Sequence, residues 1–301
     1  MKPQERFSWW SVLLLMAVSC REGATGPTTG AVLSGRILFQ STRPGGTPDL
    51  LVMDPDGHNV QTLLGGPATD QSPAASPDGS RVAFSTDRNG NFDIYVMNRD
   101  GSGLMRVTGA APVEPAYDDA PSWSPDGSRL VFARLLTLGG LLVAVKVDGT
   151  GETPLTSVVY SGYLDSPTWS PDGTKIAYTG GGTPQIFVMN ADGSGARALP
   201  GTLPDTVDHP AWSPDGTRIA AHSITRGIIV MNADGSNPVR LLPPGEDGTE
   251  PAWSPDGAYI VFTKLVFPAN PRIARIRADG SAERELTSGV GAVDGHPSWS
   301  R

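Results

Sequence analysis

Apolar positions recur along the chain in short runs: Ile37-Leu38-Phe39, Val82-Ala83-Phe84, Leu130-Val131-Phe132, Ile176-Ala177-Tyr178, Ile219-Ala220-Ala221 and Ile260-Val261-Phe262. Each run is continuous rather than alternating, which predicts strands buried on both faces. A loop of varying length follows, then a second apolar run, as in Ile94-Tyr95-Val96-Met97, Ile186 to Met189 and Ile228 to Met231. The second run gives way to Asp-Gly in all six units, at Asp56, Asp100, Asp148, Asp192, Asp234 and Asp279. A shorter closing strand is expected around Leu63, Val107, Leu155, Leu199, Leu241 and Leu286. Beyond the N-terminus no apolar pattern of helical period has any length, so the expected class is all-β.

A polar phrase punctuates these runs. Trp123-Ser124-Pro125-Asp126-Gly127 follows Pro121 and the small Ser122, and it returns at 169–173, 212–216 and 253–257. It also stands at 75–79 with Ala75 in place of Trp, and it begins again at Trp299-Ser300. The marker positions 75, 123, 169, 212, 253 and 299 lie 41 to 48 residues apart. Four short strands per unit at that period describe a β-propeller blade. Strands two to four of one unit begin at Ser34, and only a first strand, Pro297 to Ser300, follows the last complete unit. The expected fold is therefore a six-bladed propeller over 34–301, with the last blade shared by the two ends of this span. Ser-Pro-Asp-Gly suits a type I turn in which Pro sets the first central φ and Gly takes φ > 0. The residues before the Trp position, Ala74, Ser122, Thr168, Ala211, Ala252 and Ser298, are small, as a crowded axis requires. The Pro before each is expected at the start of its strand, where no ladder donor is needed.

Length alone, 301 residues, would suggest two domains, but the repeat overrides that prior. The first nineteen residues differ from the rest. Lys2 and Arg6 precede an apolar stretch, Trp9 to Val18, that is too short to span a bilayer, and Ala17-Val18-Ser19 is a small-residue run before Cys20. Residues 1–19 thus read as a secretory signal. Cys20 is the sole cysteine, so no intrachain disulfide can form. The segment resembles a bacterial lipoprotein signal, with Ala17 where that family prefers Leu, and the resemblance implies acylation of Cys20 as a membrane anchor. Residues 20–33, rich in Gly, Thr and Pro, are then a flexible tether. Arg21 stands where an Asp would argue for inner-membrane retention, which favours the outer membrane, facing the periplasm. The net charge of −8 and the lack of any Lys/Arg cluster exclude a nucleic-acid partner.

The Pro-x-Trp-Ser-Pro-Asp-Gly phrase, the Ile-Ala-Tyr-like strand and the Val-Met-Asn-x-Asp-Gly turn resemble the TolB-type, WD40-like (PD40) propeller repeat over residues 34–301. The resemblance is to the propeller alone, without the separate α/β domain that precedes it in TolB. It implies a periplasmic, protein-binding component. On that basis the expected function is an envelope-anchored binding or scaffold propeller, a monomer without cofactor or catalysis, whose partner is a protein or an envelope polymer.

The same residues lack the common hydrolase signatures. No Gly-x-Ser-x-Gly elbow and no His-Glu-x-x-His occurs. The Asx-x-Asp-Gly turns lack the Glu of a calcium loop, since Gly65 and Gly109 stand eleven residues after Asp54 and Asn98. The residues before the repeated Pro are Ser72, Ala120, Ser166, His209, Glu250 and His296, so three successive blades present His209, Glu250 and His296 near the axis. These types suit a divalent metal, and they define the alternative, a metal-dependent hydrolase or lactonase-like enzyme. His58 and His222 have no visible partner. For the binding reading, the loops opposite the Asp-Gly turns differ in every unit. Two are apolar, with Leu135, Leu136 and Leu138 in one and Val266 and Phe267 in the other. The same side gathers Asp70, Asp118, Asp119, Asp165, Asp208, Glu250 and Asp294, which predicts a negative axial mouth suited to a cationic segment.

Overall fold

The computed structural model describes residues 35–42, 46–109, 116–157, 163–200, 205–288 and 291–301. The signal segment, Cys20 and the tether lie outside the described residues. Continuous apolar runs cannot leave either face in water, so each sheet must be covered on both sides, and stacking sheets around an axis does this. Six four-stranded antiparallel sheets do so here, with no α-helix among the described residues. Five blades are contiguous in the chain, and their inner strands are Asp70–Ala75, Tyr117–Trp123, Tyr163–Trp169, Val207–Trp212 and Asp247–Trp253. The sixth pairs its inner strand, Val293–Trp299, with Ile37–Thr42 from the other end of the propeller. These inner strands neighbour one another around the ring, which places them at the axis.

Closure by both ends is as expected. Trp299 lies opposite Ile37, and Ser300 N–H donates to the Arg36 carbonyl at 2.8 Å. Gly35 has φ of +86°, and a Cβ there would fall 1.8 Å from the Ser300 carbonyl oxygen, so only glycine fits. Between blades, the Trp123 indole N–H donates to the Ala74 carbonyl and that of Trp253 to the Ala211 carbonyl, both at 3.0 Å. The Arg81 and Arg218 guanidiniums lie over the same two indoles at 4.9 and 4.7 Å. In mid-sheet, Phe39, Phe84, Phe132 and Phe262 occupy one equivalent position of the second strands and are fully buried.

The Ser-Pro-Asp-Gly turns form as the sequence predicts. The Gly127 N–H donates to the Ser124 carbonyl at 2.9 Å, and Gly127 has φ of +68°. The Ser124 hydroxyl donates to Asp126 at 2.6 Å and, with Ser128, holds that carboxyl down to about 2.

Three expectations need correction. The repeated prolines do not start their strands: Pro121 lies deep in Tyr117–Trp123, at a bulge where Ala120 and Pro121 together oppose Phe132. A bulge leaves a residue unpaired, which is what a proline in a central strand needs. In most blades the closing strand is two residues long and ends before the predicted apolar residue. Val107, Leu155, Leu199, Leu241 and Leu286 turn inward just after it, and each N–H donates to a third-strand carbonyl. Finally, Leu135 to Gly140 is not a loop, because Arg129–Leu136 and Gly139–Lys146 pair up to Leu136 opposite Gly139 and leave Thr137-Leu138 as the turn.

Gly35→Ala is expected to destabilise by more than about 1 kcal/mol, because both φ and space are wrong for a side chain. Gly182→Ala, where a Cβ would meet nothing within 4 Å, should stay within about 0.5 kcal/mol. Denaturant unfolding of both variants checks this.

Candidate binding site at the axial mouth

In all six inner strands the residue before the bulge proline is left-handed. Ser72, Ala120, Ser166, His209, Glu250 and His296 have φ between 49° and 57°. Such a conformation is uncommon for a non-glycine residue and costs roughly 1–2 kcal/mol. It breaks the alternation of the strand and turns these six side chains into a central cavity of about 360 Å³. One residue back stand Gln71, Asp119, Asp165, Asp208, Thr249 and Gly295. One further back, Asp70, Asp118, Leu164, Val207, Gly248 and Asp294 are all buried.

The seven acids predicted for the mouth therefore separate. Successive strand residues face opposite ways, so Asp118 and Asp119 cannot both reach the axis. Asp118 turns into the sheet and takes a two-point ion pair from Arg134 at 2.7 and 2.8 Å. Asp70 pairs with Arg88 at 2.7 Å, and Asp294 accepts from the Ser41 hydroxyl at 2.5 Å. These three are structural. Asp119, Asp165, Asp208 and Glu250 remain towards the axis. Asp119 accepts from Gln71 at 2.8 Å and from the Ala120 N–H at 2.7 Å, and Asp165 accepts from the Ser166 N–H at 2.6 Å. Neither forms an ion pair among the described residues. Burial raises the Asp119 carboxyl above the ordinary carboxylate range, the Ala120 N–H offsets part of this, the negative charge of Asp165 adds to the rise, and His296 and the Ser72 hydroxyl oppose it.

The proposed metal set His209, Glu250 and His296 is brought to one cavity, but its members face different partners. His296 Nε2 lies 3.0 Å from Glu250 Oε1, and the Glu250 Oε2 accepts both the His296 N–H and the Thr263 hydroxyl at 2.7 Å. His209 Nδ1 instead meets Asp208 Oδ1 at 2.8 Å, and that same oxygen meets His222 Nδ1 at 2.8 Å. Among the described residues, the group whose ligand atoms lie mutually within 4.8 Å is Asp208, His209 and His222. His222, without a visible partner in the sequence, gains one because its strand pairs it directly with Asp208. His58 stays at its turn on the outside.

Burial opposes the charge on Glu250 and on His296, yet each stabilises the other's charged form. The carboxyl is held down to about 2, with help from His209 and Thr263, and the imidazole is raised to about 8. Asp208 is held well below the usual range despite its burial, by His209 and His222, and His209 is raised by Asp208.

Several apolar side chains are exposed at the mouth end of the blades. Leu138 is 68% and Phe267 89% exposed, and both lie on the predicted loops, with Leu135 exposed beside them. Val266 is half-buried, and Leu136 packs on the core, so neither offers a full side chain. Tyr163, Ile224 and Val293 are exposed at the same end, since inner strands begin there and second strands end there. Their sequence signal was weak, one apolar residue each at a strand boundary.

Comparison with known proteins agrees with this architecture. Residues 113–301 match the TolB beta propeller domain, and the chain belongs to that family. The Tol-Pal system protein TolB of Thioalkalivibrio sulfidiphilus (strain HL-EbGR7) is 40% identical over 75 residues, 24% of this chain and 17% of that protein. The matched stretch is thus under a fifth of that relative's length. The crystal structure of TolB from Acinetobacter baumannii superposes with a TM-score of 0.76 at 21% identity, covering 89% of this chain and 67% of that one. A chain of the nidogen/laminin complex superposes at 0.70 with 12% identity, covering 88% and 98%. At such identities these two structures speak for the fold alone.

Glu250 contributes stability above its ordinary 4.5 that is lost as pH falls through about 2. His296 contributes below its ordinary 6.5 and loses it as pH rises through about 8. The pair should therefore stabilise most between about pH 4.5 and 6.5. In Glu250→Gln, NMR titration should find the His296 transition well below that of the parent protein. An unchanged transition would show that Glu250 is not its partner.

Proposed function

We propose that the protein is a non-catalytic binding propeller that seats a cationic polypeptide segment over the axial mouth. One observation carries this reading. Asp119 and Asp165 face the axis without an ion pair among the described residues, the charge of His296 being shared with Glu250, and exposed Leu135, Leu138, Tyr163, Ile224, Phe267 and Val293 stand at the same end. Two carboxylates side by side repel each other, and an incoming Lys or Arg relieves that repulsion. Exposed apolar groups on a rigid scaffold supply contact area. A relative in the Tol-Pal system supports a protein as the partner. The histidines are occupied with Asp208 and Glu250, which supports binding over hydrolysis.

The probe for this is a fluorescein-labelled peptide with alternating Lys and Leu. Asp119→Asn with Asp165→Asn should weaken its binding about tenfold, and rising salt should weaken binding to the parent. Leu138→Ala with Phe267→Ala should weaken it without lowering the melting temperature, because both side chains are outside the core. Leu136 is a poor substitute for this test, since it packs on the core. Salt-independent binding, or binding untouched by either double variant, would sink the proposal.

A second reading rests on the Asp208, His209 and His222 group, which could hold a divalent cation for hydrolytic chemistry. Elemental analysis of desalted protein separates the two, and stoichiometric metal lost in His209→Ala with His222→Ala would favour it.

We propose further that the chain is exported and anchored to the bacterial envelope through Cys20, at the outer membrane, with 20–33 as its tether. Cys20→Ser should then move the protein from the membrane to the soluble fraction of the envelope with its melting curve unchanged. Retention in the membrane would exclude the anchor.

A further inference from the structure

Five of the six inner strands end in Trp, and blade one ends in Ala75. At four of the five other junctions the side chain opening the second strand of one blade lies against the Trp of the next. Arg81 covers Trp123, Arg129 covers Trp169 at 6.0 Å, Arg218 covers Trp253, and Tyr259 stacks on Trp299 at a centroid distance of 6.5 Å. By the same register Arg36 of blade six should meet an aromatic ring at position 75. It meets none, and its Nε lies 3.2 Å from both Asp54 and the Met53 carbonyl.

A cavity of about 320 Å³ occupies this junction, lined by Arg36, Leu38, Val52, Leu63, Ala75 and Val82. In the corresponding cleft between blades three and four, Trp212 is itself part of the lining. There the counterparts of Leu38 and Val82, which are Ala177 and Ile219, do not reach the cleft. That cleft, with its indole in place, is the larger at about 610 Å³, so the missing ring has not widened the junction of blades six and one but has left Leu38 and Val82 as its floor. The junction's volume is at the lower end of the roughly 300–1,000 Å³ of small-molecule sites. The rim carries Arg81, Arg99 and Asp100, two cations against one anion.

We propose that the junction of blades six and one is a docking slot for a tryptophan side chain of a partner polypeptide, one with an acidic residue beside it. Four of the five inner-strand tryptophans are the template for the ring: each rests on the face of the preceding blade under a cation or an aromatic ring. Leu38 and Val82 form the floor, Arg36 offers its guanidinium to the ring face, and Arg99 selects the acidic neighbour. The slot opens among the Gly79 and Asp100 turns, at the end of the blades opposite the mouth, and it is independent of binding there.

The probe is the dipeptide N-acetyl-Trp-Asp-amide, compared with N-acetyl-Ala-Asp-amide, added to methyl-labelled full-chain protein. The tryptophan dipeptide is expected to shift the Leu38, Leu63 and Val82 methyl resonances saturably, and the alanine dipeptide to leave them in place. Ala75→Trp should abolish the shifts and raise the melting temperature by a few degrees, as cavity filling does. Ala75→Leu, a smaller filler, should abolish the shifts as well. Unmoved methyls, shifts that persist in either variant, or a lowered melting temperature in Ala75→Trp would overturn the proposal.

Discussion

A backbone held at φ near +50° ahead of a proline, repeated six times around one axis, is the constraint on which the mouth depends. A regular inner strand would send alternate residues into the neighbouring blade and leave the axis to whatever alternation supplied. The bulge inserts one residue, aims it at the axis, and returns the strand to register in time for the small residue and the Trp that pack between blades. The proline is part of the device, because the bulge is where a central strand can do without a donor. Hydrogen bonds from the strained residues help to hold them in place: Ser72 N–H to Gln40, His209 N–H to Thr179 and His296 N–H to Glu250. Each of those three acceptors belongs to the preceding blade, so strain in one blade is offset by contact with the next.

The same device sorts charge. Acids three residues before the proline are buried in the sheet and matched, Asp70 by Arg88 and Asp118 by Arg134. Acids two residues before it stay at the axis, where blades two and three leave Asp119 and Asp165 without an ion pair among the described residues. Blades four to six fill their part of the ring with His209, Glu250 and His296, which neutralise one another and Asp208. The mouth is consequently lopsided, negative on one side and internally paired on the other, over an invariant backbone.

The propeller itself was legible in the chain. Continuous apolar runs, turns with Pro-Asp-Gly chemistry and a period in the forties each state a local rule, and all six units state it alike, so blade number and closure follow from counting. Leu135 to Gly140 was misplaced because a two-residue turn carrying Leu138 has no Gly-Asn or Asp-Gly signal before Gly139, and an apolar turn reads as loop or strand alike. The bulge was hidden for a different reason. Nothing in a sequence distinguishes a proline that starts a strand from one that interrupts it.

What the sequence determined by itself was therefore everything periodic: the all-β class, the six blades, the turn residues and the residue types that reach the axis. What only the tertiary structure decided was which of those residues meet. Asp118 and Asp119 are neighbours in the chain and end on opposite faces of one sheet. Asp208 and His222 lie fourteen residues apart and share a hydrogen bond because their strands pair. Local rules act through the backbone and are written in order, whereas the partner of a side chain depends on which blade the ring brings beside it.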